Sequence, residues 1–229
     1  AKVHNSSGFV TTNSVQVVVG EQKPYLNQPF QIPGTIQAGN YDYFEGGKGQ
    51  DISYFDSTVG NSGAENGDFR TDEYVDAVSD VEGETVGWIE AGEWLEYTID
   101  VTQSGYYKMD FRYATENNSG GPFNLELDGQ QVASNITVSS TGKWDAWATK
   151  SVNGIPLIQG EHILRVDVAK GGFNLGDMVF TRTSGLDYTP LIAEAGAVPS
   201  QGEGPRRAAQ GASWLLVEQQ QQQPQLRRG

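Results

Sequence analysis

The chain of 229 residues carries a formal net charge of −14 and contains two histidines and no cysteine. The negative charge disfavours nucleic acids and anionic membrane surfaces as partners, because both are themselves anionic. Without cysteine there is no disulfide framework and no thiolate chemistry, and two histidines nearly exclude His-based catalysis and multi-histidine metal sites. No run of about twenty apolar residues predicts a membrane-spanning helix.

The first thirty residues are predicted to stand apart from the main domain. Turn-forming residues at 5–8 and a β-branched run at 15–19 predict two short strands within residues 1–22. An isolated hairpin of this kind is marginally stable, so we interpret residues 1–22 as the remnant of a preceding immunoglobulin-like domain or as a tag. Residues 23–31, which contain Pro24 and Pro29, are predicted to be a linker.

The next segment, residues 32–184, has the pattern of an all-β domain. Apolar and polar residues alternate at 94–101, 106–113, 123–128 and 162–168, which predicts strands with one buried and one solvated face. The pair Asp128-Gly129 predicts a tight hairpin turn. No segment shows a helical period, and many short strands in succession favour a β-sandwich.

The C-terminal segment, residues 185–229, differs in composition from the rest. It is rich in alanine, glycine and proline, and it contains a glutamine run at 219–223. These features predict a disordered or non-native tail, to which we assign no function.

Tryptophan marks the candidate functional surface. Trp88 and Trp144 lie among glycines and polar residues. A flat apolar ring within a polar rim suits a sugar, whose C–H groups stack on the indole while its hydroxyls need donors and acceptors. Trp147 follows Trp144 by three residues, and in a strand the two would point to opposite faces, so Trp147 is expected in the core.

The carboxylates Glu90, Glu93 and Glu96 raise the question of an enzyme, because glycosidases use a pair of acidic residues. A charged strand face is the commoner explanation of such spacing, and the rest of the sequence shows no glycosidase signature. We therefore expect no independent catalytic activity.

Several short motifs follow one another in a recognisable order. They are Ile-Pro-Gly-Thr-Ile-Gln-Ala at 32–38, Phe-Glu-Gly-Gly-Lys-Gly at 44–49, Val-Gly-Trp at 86–88, Ala-Gly-Glu-Trp-Leu-Glu-Tyr at 91–97, Gly-Lys-Trp-Asp-Ala-Trp at 142–147 and Gly-Gly-Phe-Asn-Leu at 171–175. In this order the chain resembles a family 6 carbohydrate-binding module over residues 32–182. The resemblance implies a jelly-roll β-sandwich of two antiparallel sheets, with a carbohydrate-binding module at residues 32–184.

The resemblance implies a first sugar site in the loops at one end of the sandwich. The matching residues are two aromatic walls, Trp88 and Trp144, and an amide, Asn174. An amide suits this role because it donates and accepts hydrogen bonds at once. The family often adds an acidic residue, but Val78 stands at that position here, and the sequence does not decide whether Asp76, Asp80 or Glu82 replaces it.

A second site is implied on the concave face of one sheet. The matching residues are Tyr43 and Trp94, as a platform under an extended chain, and Glu126 as a partner for hydroxyls. Packing of Trp94 in the core or on the sheet surface is the competing interpretation.

The resemblance also implies a structural calcium ion. Gln37 and Asp177 are the candidate ligands, but Gly39 and Gly176 stand where carboxylate or amide ligands are usual. Because calcium prefers six to eight oxygen ligands, their loss is expected to weaken the site.

These features together predict non-catalytic polysaccharide binding, in a secreted, monomeric module tethered to a glycoside hydrolase such as a laminarinase or agarase. Laminarin-type β-1,3-glucan is the first choice of ligand, agarose the second and xylan the third. The alternatives from other classes are an adhesion or protein-interaction β-sandwich and a purely structural domain.

Overall fold

The computed structural model describes residues 2–4, 10–12, 20–63 and 69–186. In this part of the chain sixteen strands alternate with loops and turns. They are β1 (Lys2–His4), β2 (Val10–Thr12), β3 (Gln22–Lys23), β4 (Phe30–Ile32), β5 (Gly34–Ile36), β6 (Tyr43–Phe44), β7 (Tyr54–Phe55), β8 (Ala77–Asp80), β9 (Gly83–Val86), β10 (Trp94–Val101), β11 (Gly105–Ala114), β12 (Ser119–Leu127), β13 (Gln130–Ser139), β14 (Ala148–Leu157), β15 (Gly160–Val168) and β16 (Asn174–Ser184).

Most of these strands belong to two six-stranded sheets. The first has the order β13-β12-β15-β10-β4, with β7 also paired to β10. The second has the order β14-β11-β16-β9-β8, with β5 also paired to β16. The pairings within both sheets are antiparallel except β4 with β10. The predicted all-β jelly-roll sandwich is confirmed.

The core lies between the two sheets and follows the alternation of the sequence. In β10, Leu95, Tyr97 and Ile99 are buried in the core cluster, while Trp94 and Glu96 stand on the opposite, outer face of the first sheet. Period-two alternation of this kind places one face of each strand against the partner sheet.

An aromatic cluster joins the two sheets close to the end that carries the loops. Phe111 of the second sheet meets Phe123 of the first edge to face, with ring centroids 5.4 Å apart. Phe173 stacks on Phe123, also at 5.4 Å. Because Phe173 directly precedes Asn174, this cluster fixes the residue at which β16 begins.

The segment predicted as a linker takes part in the sheets instead. In β3, Gln22 and Lys23 pair with β6, and β4 pairs in parallel with residues 99–101 of β10. Pro24 and Pro29 fall just outside these paired strands, where the missing N–H group removes no ladder hydrogen bond. The two prolines therefore mark breaks between short strands, and the segment is not a free linker.

The N-terminal strands β1 and β2 pair with each other in antiparallel fashion. The strand predicted at 15–19 and almost all of the predicted tail, from residue 187 onward, lie outside the described residues.

Helical structure in the described part is limited to short 3-10 turns, among them Tyr25–Asn27 and Ala38–Asn40. No helix there has the length and apolar character that crossing a membrane requires.

The hairpin predicted at Asp128-Gly129 is confirmed between β12 and β13. Both residues have positive φ, 50° and 76°, the combination that a type I′ hairpin turn requires and that Asp-Gly adopts readily. The Asp128 carboxylate also accepts a hydrogen bond from the Ile163 amide (2.9 Å), which ties the turn to β15.

We predict that Phe123→Ala lowers the free energy of unfolding by about 3–5 kcal/mol, because it leaves a cavity between Phe111 and Phe173. Urea denaturation followed by near-UV circular dichroism measures this loss. Val179→Ala, at a surface position, is the control and should change stability by less than about 0.5 kcal/mol. Equal losses in the two variants would contradict the assigned core.

Candidate functional site

Trp88 is held out into solvent by buried residues on both sides. It lies in the loop between β9 and β10, with its side chain 52% exposed and φ at 48°. A positive φ is a strained conformation for a bulky residue and persists only where neighbours enforce it. The Gly87 amide donates to the Asp76 carbonyl (2.9 Å), and the Gly172 amide donates to the carbonyl of buried Ile89 (2.9 Å).

Trp144 faces the same end of the sandwich from the loop between β13 and β14. Its side chain is 42% exposed. The loop is tied down through Thr141, whose amide donates to the Thr115 carbonyl (2.9 Å) and whose Oγ1 accepts from the Thr115 amide (2.9 Å). Both exposed indoles are thus supported by hydrogen-bonded backbone, not by free loops.

Asn174 connects the two tryptophan loops. Its Nδ2 donates to the Trp144 carbonyl at 2.9 Å. Its Oδ1 approaches Gly87 so closely that a Cβ there would lie 3.2 Å from it, which favours glycine at this position. Trp88, Trp144 and Asn174 line one cavity of about 230 Å³. The structure therefore brings the three predicted residues together.

A larger cavity of about 670 Å³ adjoins this clamp and shares both tryptophans. Its polar lining includes Asp76, Glu90, Asn117, Asn118 and Lys170. The sequence singled out Asp76 as one alternative for an acidic contact. The lysine and the two asparagines lie in loops without a motif or a periodic pattern, so no signal in the sequence indicated them.

The other acidic alternatives do not line this cavity. Glu82 forms an ion pair with Arg112 (2.6 Å) on the second sheet. The side chain of Asp80 lies outside the described residues, and Val78 is buried.

A group of buried carboxylates lies beside the two cavities. Glu93 accepts hydrogen bonds from the Ser57 hydroxyl (2.7 Å) and the Glu90 amide (2.9 Å). Burial, opposed by hydrogen bonds from Thr58 and reinforced by the charge of Glu93, raises the pKa of Asp56 to about 6. Burial also raises the pKa of Asp76. These carboxylates accept bonds from loop donors and so fix the loops that carry Trp88.

The outer face of the first sheet carries part of the predicted second site. Trp94 pairs across the ladder with Asp167, and Glu126 pairs with Arg165, so Trp94 and Glu126 lie two strands apart on the same face. Arg165 places its guanidinium carbon 4.0 Å from the Trp94 ring centroid. Tyr43 lies in the separate β3–β6 pair, where its hydroxyl donates to Asn27 Oδ1 (2.5 Å).

The placement of Trp147 differs from the prediction. It is half-buried outside the core, against Gly176 and with the guanidinium of Arg112 5.8 Å from its ring centroid. Residues 142–145 form a bend and turn, and β14 begins only at Ala148, so the two-residue alternation of a strand does not apply to Trp144 and Trp147.

The two predicted calcium ligands stand side by side on the second sheet. Met178 pairs with Ile36, so Asp177 and Gln37 are the next residues along the two strands. Asp177 Oδ1 and Asn40 Oδ1 are buried without a hydrogen-bond partner, and Asn40 Nδ2 lies 3.5 Å from Gln37 Oε1. These oxygens fit a cation, whereas the described residues contain no group of three or more His, Cys, Asp or Glu side chains suited to a metal ion.

Comparison with known proteins places these features in a family. The family model described as carbohydrate binding module (family 6) matches residues 62–182, more than half of the chain.

Curated relatives share this part of the sequence. An exo-beta-D-glucosaminidase of Amycolatopsis orientalis is 33% identical over 87 residues, which are 37% of this chain and 8% of that protein. Beta-agarase AgaO of Microbulbifer thermotolerans is 29% identical over 113 residues, 46% of this chain and 10% of that protein. The chain thus spans only about a tenth of these relatives.

A solved structure supports the fold. The module CsCBM6-3 from Clostridium stercorarium, determined in complex with cellobiose, has 21% sequence identity and a TM-score of 0.50. The match covers 68% of this chain and 98% of that one.

We predict that Asp56→Asn makes stability less dependent on pH between about 4 and 6. Folded Asp56 keeps its proton to about pH 6, whereas an unfolded aspartate releases it near pH 4, so Asp56 destabilises the fold as pH rises through this window. The amide oxygen of the introduced asparagine would still accept the two hydrogen bonds from Thr58. Urea denaturation at pH 4.5 and 7.5 should show a gain that is larger at pH 7.5 than at pH 4.5 by about 1–3 kcal/mol.

The control for this prediction is Asp110→Asn. The ion pair with Lys108 lowers the pKa of Asp110, so this substitution should not produce a gain at pH 7.5. A gain of equal size in both variants would show that the raised pKa of Asp56 is not the cause.

Proposed function

The chain belongs to carbohydrate-binding module family 6, a non-catalytic family, and on that basis we propose that Trp88, Trp144 and Asn174 form its sugar-binding clamp. Carbohydrate binding follows from the family, while the residues and the ligand are our proposal. The observation that carries it is the cavity of about 230 Å³ between two exposed indoles, closed by an amide that contacts both loops.

The clamp suits a ring that is apolar on both faces. Indole faces are electron-rich and attract the polarised C–H groups of a sugar ring. The remaining polar capacity of Asn174, together with Asn117, Lys170 and Glu90 in the adjoining cavity, can serve hydroxyl groups at the ring edge. In such a site the aromatic walls supply most of the contact area, and a small number of hydrogen bonds fix the orientation of the sugar, as in small-molecule sites generally.

Two aromatic walls favour a gluco-configured sugar over a galactose unit. All ring substituents of β-glucose are equatorial, so both faces present C–H groups, whereas the axial hydroxyl of galactose interrupts one face. We therefore propose a laminarin-type β-1,3-glucan as the ligand, held at a chain terminus in the clamp with the next unit in the larger cavity. Agarose is the second candidate, on the similarity to a beta-agarase, and xylan is the third.

The proposed biological role is targeting. In a secreted glycoside hydrolase, a tethered monomeric module would hold the enzyme on its polysaccharide and raise the effective concentration at the bond to be cleaved. The clamp is expected to bind weakly, because stacked rings and exposed hydrogen bonds contribute little net free energy.

Calcium is proposed as a weakly bound structural ion. The support is the pair of unpartnered buried oxygens, Asp177 Oδ1 and Asn40 Oδ1, beside Gln37. Burial raises the pKa of Asp177, and a bound cation would stabilise its charged form. Glu84, whose amide donates to Gln37 Oε1 (3.4 Å) and whose charge acts on Asp177, is a further oxygen donor.

We predict that Trp88→Ala and Trp144→Ala each weaken polysaccharide binding by about tenfold or more, because each removes one stacking wall. Affinity electrophoresis in gels containing laminarin, agarose, xylan or a β-1,3/1,4-glucan measures the retardation. Laminarin should give the strongest retardation of the unaltered chain.

Tyr106→Ala is the matched control, since it removes an exposed aromatic ring from the second sheet. It should leave retardation unchanged. Retardation that survives both tryptophan substitutions but disappears in Trp94→Ala would show that the clamp assignment is wrong. If no polysaccharide retards the folded chain, an adhesion or structural role becomes the better explanation.

We predict that 5 mM calcium raises the melting temperature by about 3–8 °C over the value in EGTA, as a weak extracellular calcium site would. Differential scanning calorimetry measures the shift. Asp177→Asn should reduce the shift, and magnesium should not reproduce it. An unchanged melting temperature would contradict the calcium proposal.

A further inference from the structure

Three strands bring one arginine between the two ends of the predicted second site. On the outer face of the first sheet, β15 lies between β10 and β12. Arg165 on β15 pairs with Glu96 on one side and with Glu126 on the other. Trp94 is two residues from Glu96 on the same face, so the shortest path from Trp94 to Glu126 crosses β15 at Arg165 and Asp167.

The guanidinium lies over the ring that a sugar would need. Its carbon is 4.0 Å from the Trp94 ring centroid, which is stacking distance. Neighbouring strands are about 5 Å apart, and Glu126 is also offset from Trp94 by two residues, or about 7 Å, along the strands, so the two are separated by roughly 12 Å. A sugar that stacks on Trp94 while reaching Glu126 would therefore occupy the place of this guanidinium.

Arg165 is anchored in that position. Its Nε and Nη2 both donate to Glu96 Oε1, at 2.8 and 2.5 Å. Glu96 is only 7% exposed. Leaving a buried carboxylate without its partner strongly destabilises the fold. Moving the guanidinium aside to admit a sugar would break this pair, and a neutral sugar hydroxyl is a weaker partner for Glu96 than a guanidinium.

We infer that Arg165 occupies the sugar position between Trp94 and Glu126 and thereby closes the outer face of the first sheet to neutral polysaccharides. The inference rests on the proposed function for the class of ligand. Arg165 is then a specificity-determining residue, because the unaltered chain binds through the clamp alone. Replacing the Arg165–Glu96 ion pair by uncharged side chains would open a second site.

The test uses the full chain in a background without the clamp, Trp88→Ala/Trp144→Ala. The outer face is opened in that background by Arg165→Met/Glu96→Gln, which removes the guanidinium without leaving a buried carboxylate unpaired. Affinity electrophoresis in laminarin and in a β-1,3/1,4-glucan measures the association constant. Cooperative thermal unfolding of each variant establishes that it is folded.

The clamp-less background should show no retardation, and the opened variant should bind at least one polysaccharide with an association constant about tenfold above the detection limit. Adding Trp94→Ala to the opened variant should abolish the gain. Arg112→Met/Glu82→Gln is the matched control, because it removes an arginine–glutamate pair near a tryptophan on the second sheet. It should produce no gain.

Any one of three results would overturn the inference. The first is a folded opened variant that no polysaccharide retards. The second is retardation of the clamp-less background that depends on Trp94. The third is retardation by carboxymethylated laminarin that depends on Arg165, since the guanidinium would then be a ligand contact. Failure of the unaltered chain to bind would contradict the proposed clamp, whereas the gain in the opened variant still decides the role of Arg165.

Discussion

The hydrogen bond from the Asn174 amide to the Trp144 carbonyl joins the exposed aromatic surface to the folded core. On one side Asn174 follows Phe173, which stacks on Phe123 within the core. On the other side its amide contacts both loops that carry the exposed indoles. In the proposed clamp these side chains are ordered before a ligand arrives, so that less conformational entropy would be lost on binding. The positive φ of Trp88 belongs to the same arrangement, because neighbouring backbone hydrogen bonds enforce it.

Two tryptophans of neighbouring sequence motifs have opposite surroundings. Trp88 lies in a loop, with its ring exposed beside cavities lined by neutral and charged polar groups. Trp94, six residues later, lies in a strand, with a guanidinium held over its ring by a buried glutamate. Aromatic character alone therefore does not make a sugar platform. The groups that neighbouring strands place over the ring decide whether it is available.

The sequence was sufficient for local features and for residues within a motif. Period-two alternation located the core strands, the Asp-Gly pair located a hairpin, and the motifs located Trp88, Trp144 and Asn174. Arg165 could not be found in this way, because its partner Glu96 is 69 residues away and only the strand order brings them together. Trp147 was misplaced because a turn was treated as a strand. The supposed linker was misjudged because very short strands show no period.

The most direct test of the clamp is an NMR titration that follows the indole N–H signals of the five tryptophans as a laminarin oligosaccharide is added. Single substitutions to phenylalanine at Trp88, Trp94, Trp144 and Trp147 assign the four signals that the test compares. We predict that the signals of Trp88 and Trp144 shift together and saturably, while those of Trp94 and Trp147 stay in place. A titration in which the Trp94 signal moves and the two clamp signals do not would contradict this prediction.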